Sequence, residues 1–229
     1  MKKNKYIILS EKSWHINLFE NLKLKFYNDE WILINSTNDF KIEYLNHYKP
    51  DRIFIPHWSY IISKDICEKF NCIVFHMTDL PYGRGGSPLQ NLIKRGNKKT
   101  KISAIDVKEE LDSGKIYLKK PLELNGTAKE IFLRANLVIE EMIEIIIKEN
   151  LNPKPQKGII TRFKRLKPKD GNIADLKELN LVYDYIRMLD CEGYPNAFTE
   201  TKNLKIEFFN ANYDETSKNI TANVRITKK

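Results

Sequence analysis

Short apolar runs alternate with amphipathic segments along the first half of the chain. Continuous apolar runs are typical of strands that are buried on both faces of a sheet, whereas the segments between them place their apolar residues at helical spacing. This alternation predicts a Rossmann-like α/β fold, in which a mostly parallel sheet is flanked by crossover helices. The predicted strands are residues 5–10, 31–36, 52–56 and 72–77, and the predicted helices are residues 16–26, 42–48 and 63–70.

The same pattern continues to about residue 150. Residues 100–107 alternate apolar and polar positions and predict a fifth strand, and residues 115–122 predict a strand that joins antiparallel. A long apolar-rich helix is predicted over 127–149, where Thr127 and Glu130 form a capping box.

A shorter helix is predicted to begin at residue 88. Ser87 supplies a capping hydroxyl, Pro88 suits the first helical position, and Gln90 is placed to complete a capping box. The loop that follows the fourth strand therefore ends at Ser87.

A domain boundary is predicted at residues 152–158. Two prolines and a glycine in this segment are incompatible with the interior of a helix or of a central strand. The chain is therefore divided into a main domain, 1–150, and a C-terminal extension, 151–229, that packs on it. We expect the extension to contain a basic segment, a helix over 174–189, and a β-hairpin formed by residues 204–209 and 219–227.

Composition places the chain among ordinary globular proteins. Hydrophobic residues make up 41% of it and charged residues 30%, and no apolar stretch approaches the length of about 20 residues that a membrane helix needs. The apolar run after the N-terminal lysines is too short for a signal peptide. Cys67, Cys72 and Cys191 show no CxxC spacing, so we expect reduced thiols in a cytoplasmic protein and no metal site.

The net charge of +9 raises the question of an anionic partner. Lysines and arginines are spread along the whole chain, and a diffuse positive field suits any anionic substrate, including a nucleotide diphosphate. The charge by itself therefore favours a nucleic acid only weakly.

The loop after the fourth strand is the strongest candidate for a functional site. His76 stands at the end of that strand, where ligands bind in open α/β sheets. The loop Thr78–Gly86 is longer than the roughly two to six residues usual for such a connection, and its glycines and Arg84 allow a ligand to approach. A structural histidine and a tight turn are the alternatives. The pattern fits neither a Walker loop nor GxGxxG.

The residues of this loop carry a family resemblance. The stretch FHMTDLPYGRGGSPLQNLI, residues 75–93, is similar to the motif of the folate-dependent formyltransferases. Further segments resemble that family in order along the chain: PDRIFIPHWSYIISKDI (50–66), LDSGKIY (111–117), RFKRLKPKDGNI (162–173) and IRMLDCEGYPNAFTE (186–200). Several ordered motifs are much harder to obtain by chance than one.

The resemblance implies transfer of a formyl group from N10-formyltetrahydrofolate to an amine. It assigns catalysis to His76 and Asp112, which match the family's histidine and the aspartate of its Asp-x-Gly segment. Val74 departs from the family, because it stands where an asparagine donates to the developing oxyanion. A protonated His76, a backbone N–H of the 78–86 loop, or His57 is then required as the donor.

The two implied catalytic residues suit the chemistry of amine formylation. Histidine can take a proton from the amine and pass it to N10, because its ordinary pKa of about 6.5 lies near neutrality. Asp112 is expected to orient the imidazole and to favour its charged form.

The resemblance also implies two sets of binding residues. The cofactor set is Tyr60, Ile61, Ile62, Leu80 and Asp112. The substrate set is Thr78, Arg84, Gly85, Gly86, Lys164 and Arg165. As alternatives, residues 57–62 form a core edge, and Arg162, Lys164 and Arg165 belong to a solvated run of charge.

The expected acceptor follows from the length of the chain. Family members that act on initiator methionyl-tRNA carry a sizeable C-terminal β-barrel domain, and too few residues follow position 200 for such a domain. Members that act on glycinamide ribonucleotide lack the RFKRLKPKDG and YPNAF segments. We therefore expect the acceptor to be a dTDP- or UDP-linked 4-amino-4,6-dideoxysugar for surface glycans such as O-antigen, with no nucleic-acid or membrane partner.

Other functions stay open beside this one. A formyltransferase-like domain without catalysis, to which Val74 points, would bind nucleic acid or another anion through its positive field. An enzyme with another amine acceptor, either methionyl-tRNA or glycinamide ribonucleotide, is the second alternative. A homodimer through the 204–227 hairpin is a further hypothesis, motivated by the apolar strand LKIEFF.

Overall fold

The computed structural model describes residues 3–229. In chain order its strands are β1 (Lys5–Ser10), β2 (Glu30–Ile34), β3 (Arg52–His57), β4 (Cys72–His76), β5 (Arg84–Gly85), β6 (Lys99–Asp106), β7 (Ile116–Glu123), β8 (Arg162–Phe163), β9 (Ala197–Glu200), β10 (Leu204–Asp214) and β11 (Asn219–Lys228). Its helices are α1 (His15–Lys25), α2 (Ile42–Tyr48), α3 (Lys64–Lys69), α4 (Pro88–Lys94), α5 (Ala128–Lys148) and α6 (Leu179–Arg187), with a short 3₁₀ helix at Pro168–Gly171. Within residues 3–229, no helix combines the length and the apolar character that crossing a membrane requires.

Six strands form the main sheet, in the order β2-β1-β3-β4-β6-β7. β1 pairs in parallel with β2 and with β3, and β3 pairs in parallel with β4, whereas β6 runs antiparallel to β4. Helices α1, α2 and α3 connect successive parallel strands. Two strands that run in the same direction need such a crossover between them. The predicted α/β fold with a mostly parallel sheet is confirmed.

The chain forms two compact units that alternate along the sequence. The first unit comprises the chain up to Arg84, Lys101–Leu122 and Leu133–Arg162, and the second comprises Gly85–Thr100, Glu123–Phe132 and Phe163–Lys229. The predicted division between residues 150 and 151 stays a prediction.

The core of the first unit is built on two central parallel strands. Ile7 and Leu9 of β1 and Ile53 and Ile55 of β3 are at most 1% exposed, and they pack in one cluster with Leu45 of α2. Side chains two residues apart on a strand share a face, so this spacing directs all four strand residues into one layer. The buried layer holds the ends of these strands in fixed positions.

The capping box predicted for the long helix α5 is confirmed. The N–H of Thr127 donates to Glu130 Oε2 (2.7 Å), and the N–H of Glu130 donates to Thr127 Oγ1 (3.3 Å). Two backbone donors that a helix start leaves unpaired are thereby satisfied.

The capping box predicted at Ser87 is wrong, although α4 does begin at Pro88. Ser87 has a φ of 50° and makes no side-chain cap bond, and its Oγ accepts from the N–H of Leu166 (3.1 Å). The amide of Gln90 donates to the carbonyl of Met188 instead (3.2 Å). Both polar groups serve tertiary contacts that a local pattern does not show.

The second unit carries a three-stranded sheet in the order β11-β10-β9. β10 and β11 form the predicted antiparallel hairpin, whereas β9 is absent from the predicted elements. The helix predicted over 174–189 covers only Leu179–Arg187, because residues 174–175 form a turn, in which the N–H of Leu176 donates to the carbonyl of Ile173 (3.1 Å). A homodimer through the hairpin stays a prediction.

Candidate active site

Three parallel strands of the main sheet end at one edge. β1 ends at Ser10, β3 at His57 and β4 at His76, and the three strands are consecutive in the sheet. In open α/β sheets ligands bind beyond this edge, where the strand order reverses, and here it reverses between β1 and β3. His76 therefore lies at the edge where the sequence predicts the site.

His76 is a buried histidine with a fixed tautomer. Its Nε2 lies 2.8 Å from the carbonyl oxygen of Gly83. A carbonyl oxygen can only accept, so Nε2 carries a proton and donates it to Gly83. Nδ1 is therefore the ring atom that can gain or lose a proton.

The carboxylate of Asp112 lies beside this second ring nitrogen. Asp112 Oδ1 is 3.5 Å from His76 Nδ1, and each side chain is 8% exposed. A charge-assisted hydrogen bond is shorter, about 2.7–2.9 Å, and catalytic hydrogen bonds commonly tighten only when substrate binds. The two side chains therefore lie close enough for Asp112 to orient the imidazole, and their catalytic roles stay predictions.

The segment that carries Asp112 has an unusual backbone. Asp112 has a φ of 54°, in the left-handed region that non-glycine residues seldom adopt. Gly114 follows it, and a Cβ at Gly114 would lie 1.7 Å from the carbonyl oxygen of Asp106. The amide of Gln156 donates to the carbonyls of Asp112 and Gly114 (2.8 Å each). Gln156 is not among the predicted site residues, because its proline-rich surroundings indicate only a boundary.

The loop after β4 is anchored to the neighbouring strands. Ser103 Oγ donates to the carbonyl of Thr78 (2.7 Å), and the carboxylate of Asp79 pairs with the ammonium groups of Lys101 (3.0 Å) and Lys119. Burial raises the pKa of Asp79, but hydrogen bonds from the two lysines outweigh burial and hold this pKa below its ordinary value. The loop that presents the Gly83 carbonyl to His76 is therefore tied to β6 and β7.

Val74 leaves the position of the family's asparagine without a side-chain donor. It precedes His76 by two residues on β4, and it is a partly buried residue packed against the apolar core cluster. Asn71 lies before β4 begins, at the opposite end of the strand from His76. His57 ends β3 at the same edge as His76, so it is the better placed of the two neighbouring polar side chains.

The predicted cofactor residues fall into two groups. Tyr60 and Ile61 are 54% and 92% exposed on the connection between β3 and α3, where the Tyr60 ring lies edge-on against Trp58. Ile62 packs against the core cluster, and Leu80 is fully buried. The exposed pair suits contact with a flat apolar ligand, whereas Leu80 supports the loop from inside. Contacts of all four with the cofactor stay predictions.

A cavity of about 580 Å³ adjoins the Asp112 segment. Its lining is Cys67, Glu68, Lys108, Glu109, Glu110 and Ser113. Small-molecule sites have volumes of roughly 300–1,000 Å³. Lys108 pairs with Asp106 Oδ2 (3.1 Å), while Asp106 Oδ1 is buried and has no hydrogen-bond partner within the described residues. Asp106 is not among the residues that line the cavity, so this acceptor gives no evidence for a ligand there, and the lining itself carries three carboxylates against one lysine.

Two of the predicted substrate residues are already engaged by the chain. Arg84 is 6% exposed, and its guanidinium donates to Gln156 Oε1 (2.9 and 3.2 Å) and lies 3.5 Å from Glu110. Thr78 is fully buried, with its hydroxyl directed at the carbonyl of Gly83 (3.4 Å). These contacts favour structural roles for both residues, and their binding of substrate stays a prediction.

The two glycines of the substrate set face the chain's own backbone. A Cβ at Gly85 would lie 2.2 Å from the carbonyl oxygen of Phe163, and one at Gly86 would lie 2.6 Å from Cβ of Arg165. We expected these glycines to let a ligand approach the loop closely. In the structure it is residues 163–165 of the chain that approach them, so the expected reason for the glycines is wrong. Lys164 and Arg165 are exposed.

Known proteins of similar sequence and structure identify the family. A family model described as Formyl transferase matches residues 32–141, and one described as Methionyl-tRNA formyltransferase, C-terminal domain, matches residues 168–227. A solved methionyl-tRNA formyltransferase from Clostridium thermocellum is 43% identical, with a TM-score of 0.95 over 99% of this chain and 100% of that chain. The methionyl-tRNA formyltransferases of Thermodesulfovibrio yellowstonii and Campylobacter lari are 31% and 30% identical over 74% and 88% of this chain. The chain spans 57% and 63% of the length of these two relatives.

These relatives contradict the expected acceptor. Solved structures of a 4-N formyltransferase from Francisella tularensis and of the formyltransferase PseJ from Anoxybacillus kamchatkensis share the fold, at only 15% and 22% identity. The nucleotide-linked amino sugar and the absence of a nucleic-acid partner are therefore wrong expectations. These expectations rested on the small number of residues after position 200. That criterion was wrong, because residues 168–227 match the family model of the C-terminal domain although the segment is short.

The expected cofactor, N10-formyltetrahydrofolate, is confirmed at the level of the family. HypX from Aquifex aeolicus, which shares the fold at 18% identity with a TM-score of 0.77, is described in complex with tetrahydrofolic acid; the match covers 93% of this chain and 39% of that chain. The ordered motifs, the His76–Asp112 pair and these relatives lead to the same assignment. The chain belongs to the formyl transferase family.

Proposed function

We propose that this chain transfers the formyl group of N10-formyltetrahydrofolate to the amino group of methionyl-tRNA. The approach of Asp112 to His76 at the carboxyl end of β4, with both side chains buried, carries the proposal. The two residues come from separate motifs of the formyltransferase pattern. Relatives at 30–43% identity are described as methionyl-tRNA formyltransferases, which supports the choice of acceptor.

The residues of the site divide the work of proton transfer. The bound cofactor supplies an activated formyl carbon. His76 takes the proton that the amine loses as its bond to the formyl carbon forms, and it does so at Nδ1, because Nε2–H is committed to Gly83. His76 then gives this proton to N10 as the bond between N10 and the formyl carbon breaks. Asp112 stabilises the resulting imidazolium and keeps the ring in one plane. Burial of the pair excludes water from the proton that His76 holds.

Stabilisation of the developing oxyanion falls to groups other than Val74. The candidates at this edge are a protonated His76, the ring of His57, and a backbone N–H of the 78–86 loop. The N–H groups of Leu80, Tyr82, Gly83 and Arg84 already donate within the chain. A preorganised donor of this kind accounts for about 3 kcal/mol of transition-state stabilisation in other enzymes.

The charge of the chain suits a polyanionic acceptor. The net charge is +9, and the segment after β8 carries four exposed basic residues: Lys164, Arg165, Lys167 and Lys169. Each phosphate that is neutralised releases counterions, so we expect the KM for methionyl-tRNA to rise steeply with salt.

Formylation of an acceptor panel tests the proposal. The chain is incubated with N10-formyltetrahydrofolate and with methionyl-tRNA, uncharged tRNA or glycinamide ribonucleotide, and the products are identified by mass. We expect formyl transfer to methionyl-tRNA alone, and none by the His76→Asn variant. Transfer only to glycinamide ribonucleotide would refute the acceptor. Salt-dependent tRNA binding by a chain that neither binds folate nor turns over would instead identify a binding domain without catalysis.

A further inference from the structure

Gln156 lies half-buried in the segment NPKPQKG and uses its whole amide in hydrogen bonds. Its Oε1 accepts from Nε and Nη2 of Arg84 (3.2 and 2.9 Å), and its Nε2 donates to the carbonyls of Asp112 and Gly114 (2.8 Å each). An amide side chain offers two acceptor sites and two donors, and all four are occupied here. A fully satisfied amide of this kind holds the groups around it in one arrangement.

The groups that Gln156 joins carry the two halves of the candidate active site. Arg84 directly follows Gly83, whose carbonyl fixes Nε2 of His76. On the other side, the backbone of Asp112 is in the left-handed region, a conformation that needs support from its surroundings. Gln156 therefore links the side chain of the residue that follows Gly83 to the backbone that carries the aspartate.

We propose that Gln156 is a positioning residue for formyl transfer, which sets the separation of His76 and Asp112; this inference rests on the proposed function. None of these four hydrogen bonds goes to the side chain of His76 or of Asp112. It acts through the backbone of Asp112 and through Arg84.

Only an amide of this length can both accept from Arg84 and donate to the carbonyls of Asp112 and Gly114. A carboxylate in its place accepts from Arg84 but cannot donate to two carbonyls, and it is repelled by their oxygens. Gln156→Glu therefore keeps the size of the side chain and its contact with Arg84, but it loses the hydrogen bonds to the carbonyls of Asp112 and Gly114. Gln156→Asn keeps the amide but is one methylene shorter, so it reaches only one of the two sides.

Single-turnover formylation of methionyl-tRNA tests the role of Gln156 in the rate. The matched control is Lys157→Ala, which changes an exposed neighbour in the same segment. We expect Gln156→Glu to slow the step by about 100-fold, the loss that a misplacement of about 1 Å causes, with KM little changed and the control at the wild-type rate. In a chain that already carries Asp112→Asn, we expect Gln156→Glu to lower the rate only slightly further, because its effect on the rate passes through Asp112. An equal loss in both backgrounds would overturn the inference and leave a purely structural role.

Crystal structures of the wild type and of Gln156→Glu separate this inference from the proposed function. The distance between His76 Nδ1 and Asp112 Oδ1 is measurable whatever the acceptor is, and we expect it to grow by about 1 Å in the variant. A widened distance in a chain that does not formylate methionyl-tRNA supports the positioning role and refutes only the acceptor. An unchanged distance overturns the inference. If Gln156→Glu does not fold, Gln156→Asn takes its place, with a smaller change in the same direction expected and the same outcomes overturning it.

Discussion

The tautomer of His76 depends on a single carbonyl oxygen. Because the Gly83 carbonyl requires a proton on Nε2, the proposed reaction can use only Nδ1, next to Asp112, to hold the proton that moves. Sequence motifs identify both catalytic candidates. They do not predict the tautomer, since the direction of a loop carbonyl has no counterpart in the pattern of residue types.

Replacing Val74 by asparagine tests whether the site lacks an oxyanion donor. An amide at this position restores the donor of the family, so we expect Val74→Asn to form product as fast as the wild type or faster, by up to about 100-fold. Val74→Ala, which adds no donor, is the control, and thermal melting of both variants accounts for the lost packing. A fall in rate for Val74→Asn in a chain that melts like the Val74→Ala control would show that this position does not face the reacting carbonyl.

The lowered pKa of the buried His15 makes the stability of the protein depend on pH. Its Nδ1 lies 2.6 Å from Ser10 Oγ, and burial, aided by the neighbouring His57, lowers the pKa of His15 to about 3 from 6.5. Between these two values the unfolded chain binds one more proton than the folded chain, so stability falls as pH falls through this window. The slope from this group is at most about 1.4 kcal/mol per pH unit.

Denaturant unfolding at several pH values between 7 and 4 measures this slope. We expect His15→Gln to be less stable than the wild type at pH 7 but to lose less stability on acidification. Parallel pH profiles for the two chains would mean that His15 is not held neutral in the folded state.

At the scale of elements, the start of α5 offers a direct test of local capping. Thr127 Oγ1 accepts from the N–H of Glu130, so Thr127→Ala leaves a backbone donor unpaired. We expect a loss of about 1 kcal/mol in the free energy of unfolding, whereas Thr127→Ser keeps the hydroxyl and should cost less. Equal losses from the two substitutions would show that the methyl group, and not the cap, matters there.

The elements that the sequence predicts well are those with a local cause. Residues 5–10 and 52–56 are continuous apolar runs, and they form β1 and β3 because such runs gain most from complete burial. β9 has no such run, and Ala197–Glu200 is a strand because β10 offers it a partner. The partners of Gln90 and Gln156 lie 98 and 44 positions away, so no local pattern indicates what those amides do.

At the scale of the whole molecule, the second unit is assembled from three separate stretches of chain. Arg187 joins two of these stretches, since its guanidinium donates to the carbonyls of Leu124 and Gly126 (2.7 and 2.9 Å) and pairs with Asp184 (2.6 Å). Arg187 is 4% exposed and Asp184 is 6% exposed. A buried ion pair of this kind depends on both partners, because one charge left alone is costly to bury.

Removal of the Arg187 guanidinium is therefore expected to destabilise the protein strongly. We expect Arg187→Leu to lower the free energy of unfolding by about 3–5 kcal/mol, because it leaves Asp184 buried without its partner. The exposed Arg225, replaced by leucine, is the control, with a change below about 1 kcal/mol. Denaturant unfolding followed by circular dichroism gives both values, and similar small changes in the two variants would contradict this role for Arg187.

The function proposed for the whole molecule requires His76 and Asp112 to act as one unit. Single-turnover formylation of methionyl-tRNA by the wild type, His76→Asn, Asp112→Asn and the double variant measures this most directly, with folate binding determined for each chain. We predict that each single substitution lowers the rate by about 1,000-fold or more while folate still binds, and that the double variant loses little beyond the worse single one. Losses that multiply in the double variant, or a His76→Asn chain that turns over near the wild-type rate, would contradict it.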